Sequence, residues 1–470
     1  MKKHRFATSV AVASFAFVAM LTLVSAASPA ATAAGGTVQA GFTTPLELPG
    51  SAGFGEPSII SGSGRLVVTA PNGLLTTATA DQPSPLWIST NGGTSFQGPI
   101  YPKDAGVVGE PLGGGDTDVI QDPAGNIFQT DLWLGDTTTR VSTDGGQTWL
   151  SDVFSHTSPG DDRPWLAYSG PANSIFMVYD GLDAVHVARS SLAAGPQGGI
   201  AFVQDVPAVP ECLLGGQSIV DTGDVSLANP CYAGTPANIR QCVCPPGGIA
   251  VDQHTGTVYI TYSRQNGAAG GGVGVAHSDD NGLTWTQTPI PGTGSTGSAF
   301  DTEWNFQPVK VDSLGNVYVT WGEVKKDGSV AIRFAASKDH GATWSKPVTV
   351  STSTASNVFP TLDLVAPGKV DIAYYGTKTG GDPNSLTKAT WNVYLAKSTN
   401  ALARTPSFGA KVAVAGIHKG GIESSNGSSD RSLLDFFQVA VDPAGKANII
   451  YTAGDETNGT NLFFTKEATN

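Results

Sequence analysis

The sequence predicts an all-β chain, a β-propeller of seven four-stranded blades. Three observations carry this. An apolar strand, a Gly-bearing turn and a second apolar strand recur seven times along the 470 residues. An eight-residue turn motif, Ser-x-Asp-x-Gly-x-Thr-Trp, recurs three times downstream of those hairpins. No long helical periodicity is visible after the N-terminus. The composition agrees: only 14% of residues are charged and 59 are glycine, which suits many short strands and many turns.

The hairpins begin at Glu56, Asp118, Trp165, Ile249, Val309, Leu362 and Val439. A third strand follows each, at Leu86, Thr138, Ala184, Val273, Ala331, Asn392 and Asn461. Six of the seven are followed by a fourth segment, whereas the seventh reaches Asn470 with three strands. The stretch Phe42 to Leu48 is an orphan strand. It is expected to be the outer strand of the last blade, closing the ring without an open edge. About 60 residues per blade exceed a compact propeller repeat, and the excess falls in loops such as 201–246, 377–390 and 416–432. A ring of six blades is the alternative count.

The turn motif reads STDGGQTW at Ser142–Trp149, SDDNGLTW at Ser278–Trp285 and SKDHGATW at Ser337–Trp344, with a worn copy, STNGGTSF, at Ser89–Phe96. Its Asp carboxylate can accept bonds from backbone N–H groups just downstream, and its Gly supplies a left-handed backbone. Thr and Trp then open a strand, and the large Trp is expected to fill a gap between sheets. The motif resembles the Asp-box of the sialidase superfamily and related propellers. The resemblance implies a structural turn at this place, with active-site residues at the other end of the blades, where the inner strands begin. It also implies an arginine cluster, an Asp acid/base, and a Tyr nucleophile helped by a Glu. Here the chain departs from it. Phe54-Gly55-Glu56-Pro57 has Gly55 where the family has an arginine. No Tyr stands at the start of an inner strand, since Tyr374, Tyr375 and Tyr451 fall within second strands. Seven blades also depart from the six of sialidase catalytic domains.

The N-terminus reads as a signal peptide. Lys2, Lys3, His4 and Arg5 precede an apolar run from about Ala7 to Val24 and then small residues, so residues 1–33 are expected to be leader and linker, cut between Ala26 and Ala34. Residues 34–470 are expected to form a single propeller domain, exported and monomeric, with no membrane span. Net charge is −13, and removing Lys2, Lys3 and Arg5 leaves 23 basic against 39 acidic side chains. Such a chain repels nucleic acid on average. Cys212, Cys231, Cys242 and Cys244 all lie in the long insertion at about 201–246. In an exported chain they are expected to form two disulfides, with zinc as the alternative.

Polar residues gather where the inner strands start. Glycan hydrolysis needs two carboxyl groups flanking the scissile bond. Asp162 and Asp435 are the candidate pair, with Glu303 or Asp118 in reserve. Arg163 and Arg431 are candidates for holding an anionic group, beside Glu56. Trp165, Trp304 and Phe436 are candidate stacking faces for a sugar. The rival interpretation makes the Asp/Arg pairs ties between blades and the aromatics inter-blade packing, leaving a propeller that binds a glycan or protein without catalysis. No cofactor is expected, and Ca²⁺ held by the acidic ring in the channel is a third reading.

Overall fold

The computed structural model describes residues 35–72, 83–103, 113–133, 136–156, 161–181, 184–210, 213–214, 217–218, 242–265, 272–293, 307–422, 430–455 and 457–468. Among the described residues, seven antiparallel sheets of four or five strands follow one another along the chain, beside a two-stranded pair, Leu213–Leu214 with Gln217–Ser218. Blade 1 has strands Ser58–Gly62, Arg65–Thr69, Leu86–Ser89 and Gln97–Ile100. Blade 2 has Thr117–Gln121, Ile127–Trp133, Asp136–Ser142 and Leu150–Asp152. Blade 3 has Asp162–Ser169, Ser174–Asp180, Ala184–Ser191 and Ala201–Pro210. Blade 4 has Cys242–Val251, Val258–Gln265, Gly272–Ser278 and Thr286–Pro289. Blade 5 has Val309–Val311, Val317–Val324, Val330–Ser337 and Val348–Thr349. Blade 6 has Ser356–Ala366, Lys369–Thr377, Thr390–Ser398 and Gly409–Lys419. Blade 7 has Gln438–Val441, Ala447–Asp455 and Gly459–Lys466.

The N-terminal segment completes the last two blades. Leu46–Glu47 pairs with Gly459–Lys466, with Leu46 opposite Phe464, and makes the fourth strand of blade 7. Leu48 behind it is fully buried. A second contact has no counterpart in the sequence pattern. Thr37–Val38 adds a fifth strand to blade 6, with Thr37 opposite Ala415. One short segment therefore covers the outer edges of both final blades, which would otherwise offer unpaired backbone groups.

The middle strands are buried on both faces, as in Val317–Val324 of blade 5. They are apolar throughout because each sheet packs between two others. Seven hydrophobic clusters result, one at each junction. Ile450 and Phe464 of blade 7 meet Ile59 and Trp87 of blade 1, and Tyr375 and Trp391 of blade 6 meet Ile449 and Phe463 of blade 7. The Trp of each turn motif serves the junction with the preceding blade: Trp149 packs with Val67 and Ile88 of blade 1. Within that motif Asp144 Oδ1 accepts from the N–H groups of Gln147 and Thr148 at 3.0 and 2.9 Å, and Gly146 takes φ 95°. Asp280 and Asp339 repeat the bond to the Thr N–H at 2.9 and 2.8 Å. In the worn copy Asn91 Oδ1 accepts from the Ser95 N–H at 3.0 Å.

All seven inner strands line one axial cavity of about 910 Å³. Ile59, Val119, Leu166, Ile249, Val309, Leu362 and Val439 each contribute a wall. Their starts converge on one end of it, here called the mouth.

Candidate functional site

The mouth is shaped by a recurring kink. Glu56, Arg163, Phe359 and Leu434, all at or just before the start of an inner strand, take φ of 49°, 53°, 55° and 52°. The first three directly precede a proline. Side chains other than glycine rarely adopt this conformation, and each instance costs about 1 kcal/mol or more. Phe359 is a buried core residue, so the kink belongs to the blade design. In blades 1 and 3 the same kink carries charged residues.

Arg163 of blade 3 is the hub. Its guanidinium lies 3.3 Å from Glu56 of blade 1, 3.2 Å from Asp116 of blade 2 and 2.5 Å from Asp435 at the start of blade 7. Arg431 adds a second bond to Asp435 at 3.0 Å, and the Asp435 N–H donates to Glu56 at 3.0 Å. Asp162 stands 4.0 Å from Arg163 Nε, and its side chain is 54% exposed. The other carboxylates of the group are largely buried. Burial pushes the Asp116 carboxyl well up, against the pull of Arg163, and its hydrogen bond to Asp162 adds to the rise. Burial likewise pushes Asp435 up to about 6, opposed mainly by Arg163. Four carboxyl groups thus surround two arginines.

The aromatics lie just below. Trp165 of blade 3 and Phe436 of blade 7 meet edge to face, with ring centroids 5.0 Å apart. Trp165 donates to the Pro246 carbonyl at 3.1 Å, and the Arg163 guanidinium sits over the Phe436 ring at 5.8 Å. Both rings are buried, so in this conformation they pack on one another across the mouth. Asp118 is also buried, beneath the cluster; it accepts from the Leu166 N–H at 3.0 Å and ties blade 2 to blade 3. Glu303 and Trp304 lie outside the described residues, as do Cys212 and Cys231. Of Cys242 and Cys244 only the backbone is described, in the inner strand of blade 4.

A second group borders the first. His156 Nε2 lies 3.2 Å from Asp136 and 2.9 Å from Asp161, the neighbour of Asp162. Thr137 Oγ1 also donates to Asp161. The His156 ring stacks on Tyr179 with centroids 4.3 Å apart, and Tyr179 stacks in turn on His186. Asp205 holds the far end, accepting from the Tyr179 hydroxyl at 2.7 Å and lying 3.1 Å from His186 Nδ1. Burial pushes the His156 imidazole down, but the bond to Asp161 and the charges of Asp161 and Asp136 outweigh it and leave its pKa raised. Asp136 is pushed up to about 6 by burial, opposed by His156.

The structure therefore brings together Asp162, Asp435, Arg163, Arg431 and Glu56, with Asp118, Trp165 and Phe436 beneath them. It adds Asp136 and His156, to which sequence reasoning did not point, and Asp116, which stands with Asp118 at the start of an inner strand without being a candidate site residue. Asp116 follows three glycines and carries no pattern of its own. No group of three or more His, Cys, Asp or Glu side chains suited to a metal occurs among the described residues.

No protein-family model matches the chain, and no curated protein does. Solved structures do. One is an ulvan lyase, described as a new family of polysaccharide lyase and bound to -[GlcA(1-4)Rha3S]-. It is 11% identical with a TM-score of 0.51, over 89% of this chain and 95% of that one. A protein of unknown function from Dyadobacter fermentans is 11% identical, with a TM-score of 0.45 over 91% and 99%. The leech intramolecular trans-sialidase is 14% identical, with a TM-score of 0.41 over 88% and 68%. At these identities the likeness is one of fold. The chain is a seven-bladed propeller, similar in fold to the ulvan lyase.

Proposed function

We propose that this is an exported, monomeric propeller that acts on glycans, cleaving a glycosidic bond with carboxyl groups at its mouth. One observation carries the proposal. Asp162 Oδ1 lies 4.0 Å from Arg163 Nε and Asp435 Oδ2 lies 2.5 Å from Arg163 Nη2. A single guanidinium spans both, so the two oxygens are at most about 9 Å apart, no farther than the widest separation that glycoside hydrolysis uses.

In this reading the exposed Asp162 meets the substrate. Asp435, pushed up to about 6, is the second carboxyl, and Asp116, pushed well up by burial, bonds to Asp162. Arg163 holds the carboxyl groups in register. Export is supported by the basic and apolar N-terminus. Among the described residues no helix is long and apolar enough to cross a membrane. The four cysteines of the long insertion would be oxidised outside the cell.

A second reading is a propeller that binds glycan or protein without turnover. It is supported by the Arg163 tie among four blades and by the packing of Trp165 on Phe436, both of which stabilise the mouth in the absence of any chemistry. Release of reducing ends from a panel of oligosaccharides separates the two. Turnover that falls at least a hundredfold in Asp162→Asn supports hydrolysis; binding without turnover supports the second reading.

A further inference from the structure

Four large apolar side chains are more than half exposed among the described residues: Phe154, Val203, Leu283 and Leu314. Only Phe154 is aromatic, and the residue is 61% exposed. It is set edge to face against Trp133, with centroids 5.6 Å apart at an interplanar angle of 70°. Trp133 is fixed by its own indole N–H, which donates to the Val153 carbonyl at 3.2 Å. The Phe154 N–H donates to Asp152 at 3.2 Å, and the Ser155 N–H to the Thr137 carbonyl at 3.0 Å. A rigid aromatic face is thus held in water at a clear cost in exposed apolar surface.

Its position is informative. Trp133 ends the second strand of blade 2, and Phe154 follows the fourth, so both lie at the mouth end of that blade. Two residues beyond Phe154, His156 contacts Asp161, the neighbour of Asp162. The platform therefore sits beside the candidate site, within the span of a short oligosaccharide. Between them His156 engages Asp136 and Asp161, and the carboxylate left exposed is that of Asp162. The two arginines of the mouth already face Glu56, Asp116 and Asp435.

We infer that Trp133 and Phe154 form a sugar-stacking subsite, and that the glycan it receives carries amino groups rather than carboxylates. The inference rests on the glycan reading above and names its substrate class. A pyranose face packs on the exposed Phe154 ring, as apolar C–H surfaces do on aromatic rings. Its ammonium group meets the exposed Asp162 carboxylate. A uronate or sialate would instead meet the exposed Asp162 carboxylate and arginines that are already engaged.

The test is calorimetric titration at about pH 5.5, where sugar ammonium groups are charged. Three hexamers are compared: β-1,4-linked glucosamine, its N-acetylated form, and galacturonate. The glucosamine hexamer is expected to bind on the order of tenfold tighter than the N-acetylated one, and Phe154→Ala to weaken both by roughly tenfold. Phe154→Trp should restore binding, and Asp162→Asn should remove the advantage of the free amine. Equal or tighter binding of galacturonate overturns the charge argument. Unchanged binding in a folded Phe154→Ala protein overturns the platform. Reducing-end release is followed in parallel on a wider panel. Turnover there with no hexamer selectivity sinks this inference alone; neither turnover nor binding sinks the glycan reading with it.

Discussion

The Arg163 guanidinium of blade 3 and the Asp435 carboxylate of blade 7 lie 2.5 Å apart across the mouth, although 272 residues separate them in sequence. Blades 1 and 2 stand between them in the ring and send Glu56 and Asp116 to the same guanidinium. One side chain thus ties four blades, and it neutralises groups that burial would otherwise penalise. Removing it leaves carboxylates buried without their partner. Arg163→Met is expected to lower stability by about 3–5 kcal/mol in chemical denaturation. A loss below about 1 kcal/mol would mean that the tie is dispensable.

Stability should favour acid. Asp136, Asp371 and Asp435 are pushed up to about 6 from an ordinary 3.8, each by burial. A carboxyl with a raised folded pKa binds its proton more tightly in the native state. Its contribution is complete below about 3.8 and is lost as pH rises through about 6. His156, also raised, acts in the same direction above 6.5. Asp144 and Asp280 oppose them: the hydrogen bonds of their turns bring them to about 2, so their contribution fades as pH falls below about 3.8. Thermal melts from pH 3 to 8 should therefore peak near pH 4 and decline through pH 6. A maximum at pH 7 or above would contradict these assignments.

The turn motifs are fastenings distant from the mouth. Asp144 accepts from Ser142, Gln147 and Thr148, and all of these bonds lie within one exposed turn. Asp144→Ala is expected to lower Tm by only about 2 °C while leaving glycan turnover unchanged. A large loss of activity at constant fold would give the motif a role that its position does not suggest.

The N-terminal strap should matter more than its length implies. Leu48 is fully buried in the junction between blades 7 and 1, beside Trp87 and Phe464. Leu48→Ala is expected to cost about 2–5 kcal/mol in chemical denaturation. A cost near zero would show that the last blade holds without its fourth strand.

The seven-blade count was legible because each blade repeats its hairpin, and a repeat needs no knowledge of distant contacts. The strap on blade 6 was not, since Thr37–Val38 is a two-residue strand with no periodicity to detect. At the mouth, the starts of the inner strands pointed to Asp162, Arg163 and Asp435. Their partnership was hidden: Glu56 is 107 residues from Arg163, and only ring closure brings them together. Asp116 and Asp118 are two apart and share a strand face, so period alone could not tell which reaches Arg163. Phe154 follows Val153 in a short stretch without periodicity, and nothing local marks it as held against Trp133.

The central claim is that Asp162 works on a glycan at this mouth. Its most direct test is reducing-end release from an oligosaccharide panel, with wild type compared against Asp162→Asn of matched thermal stability. The account predicts turnover by the wild type on at least one glycan and a fall of a hundredfold or more in the variant. Turnover that survives Asp162→Asn, or none on any glycan by the wild type, would contradict it.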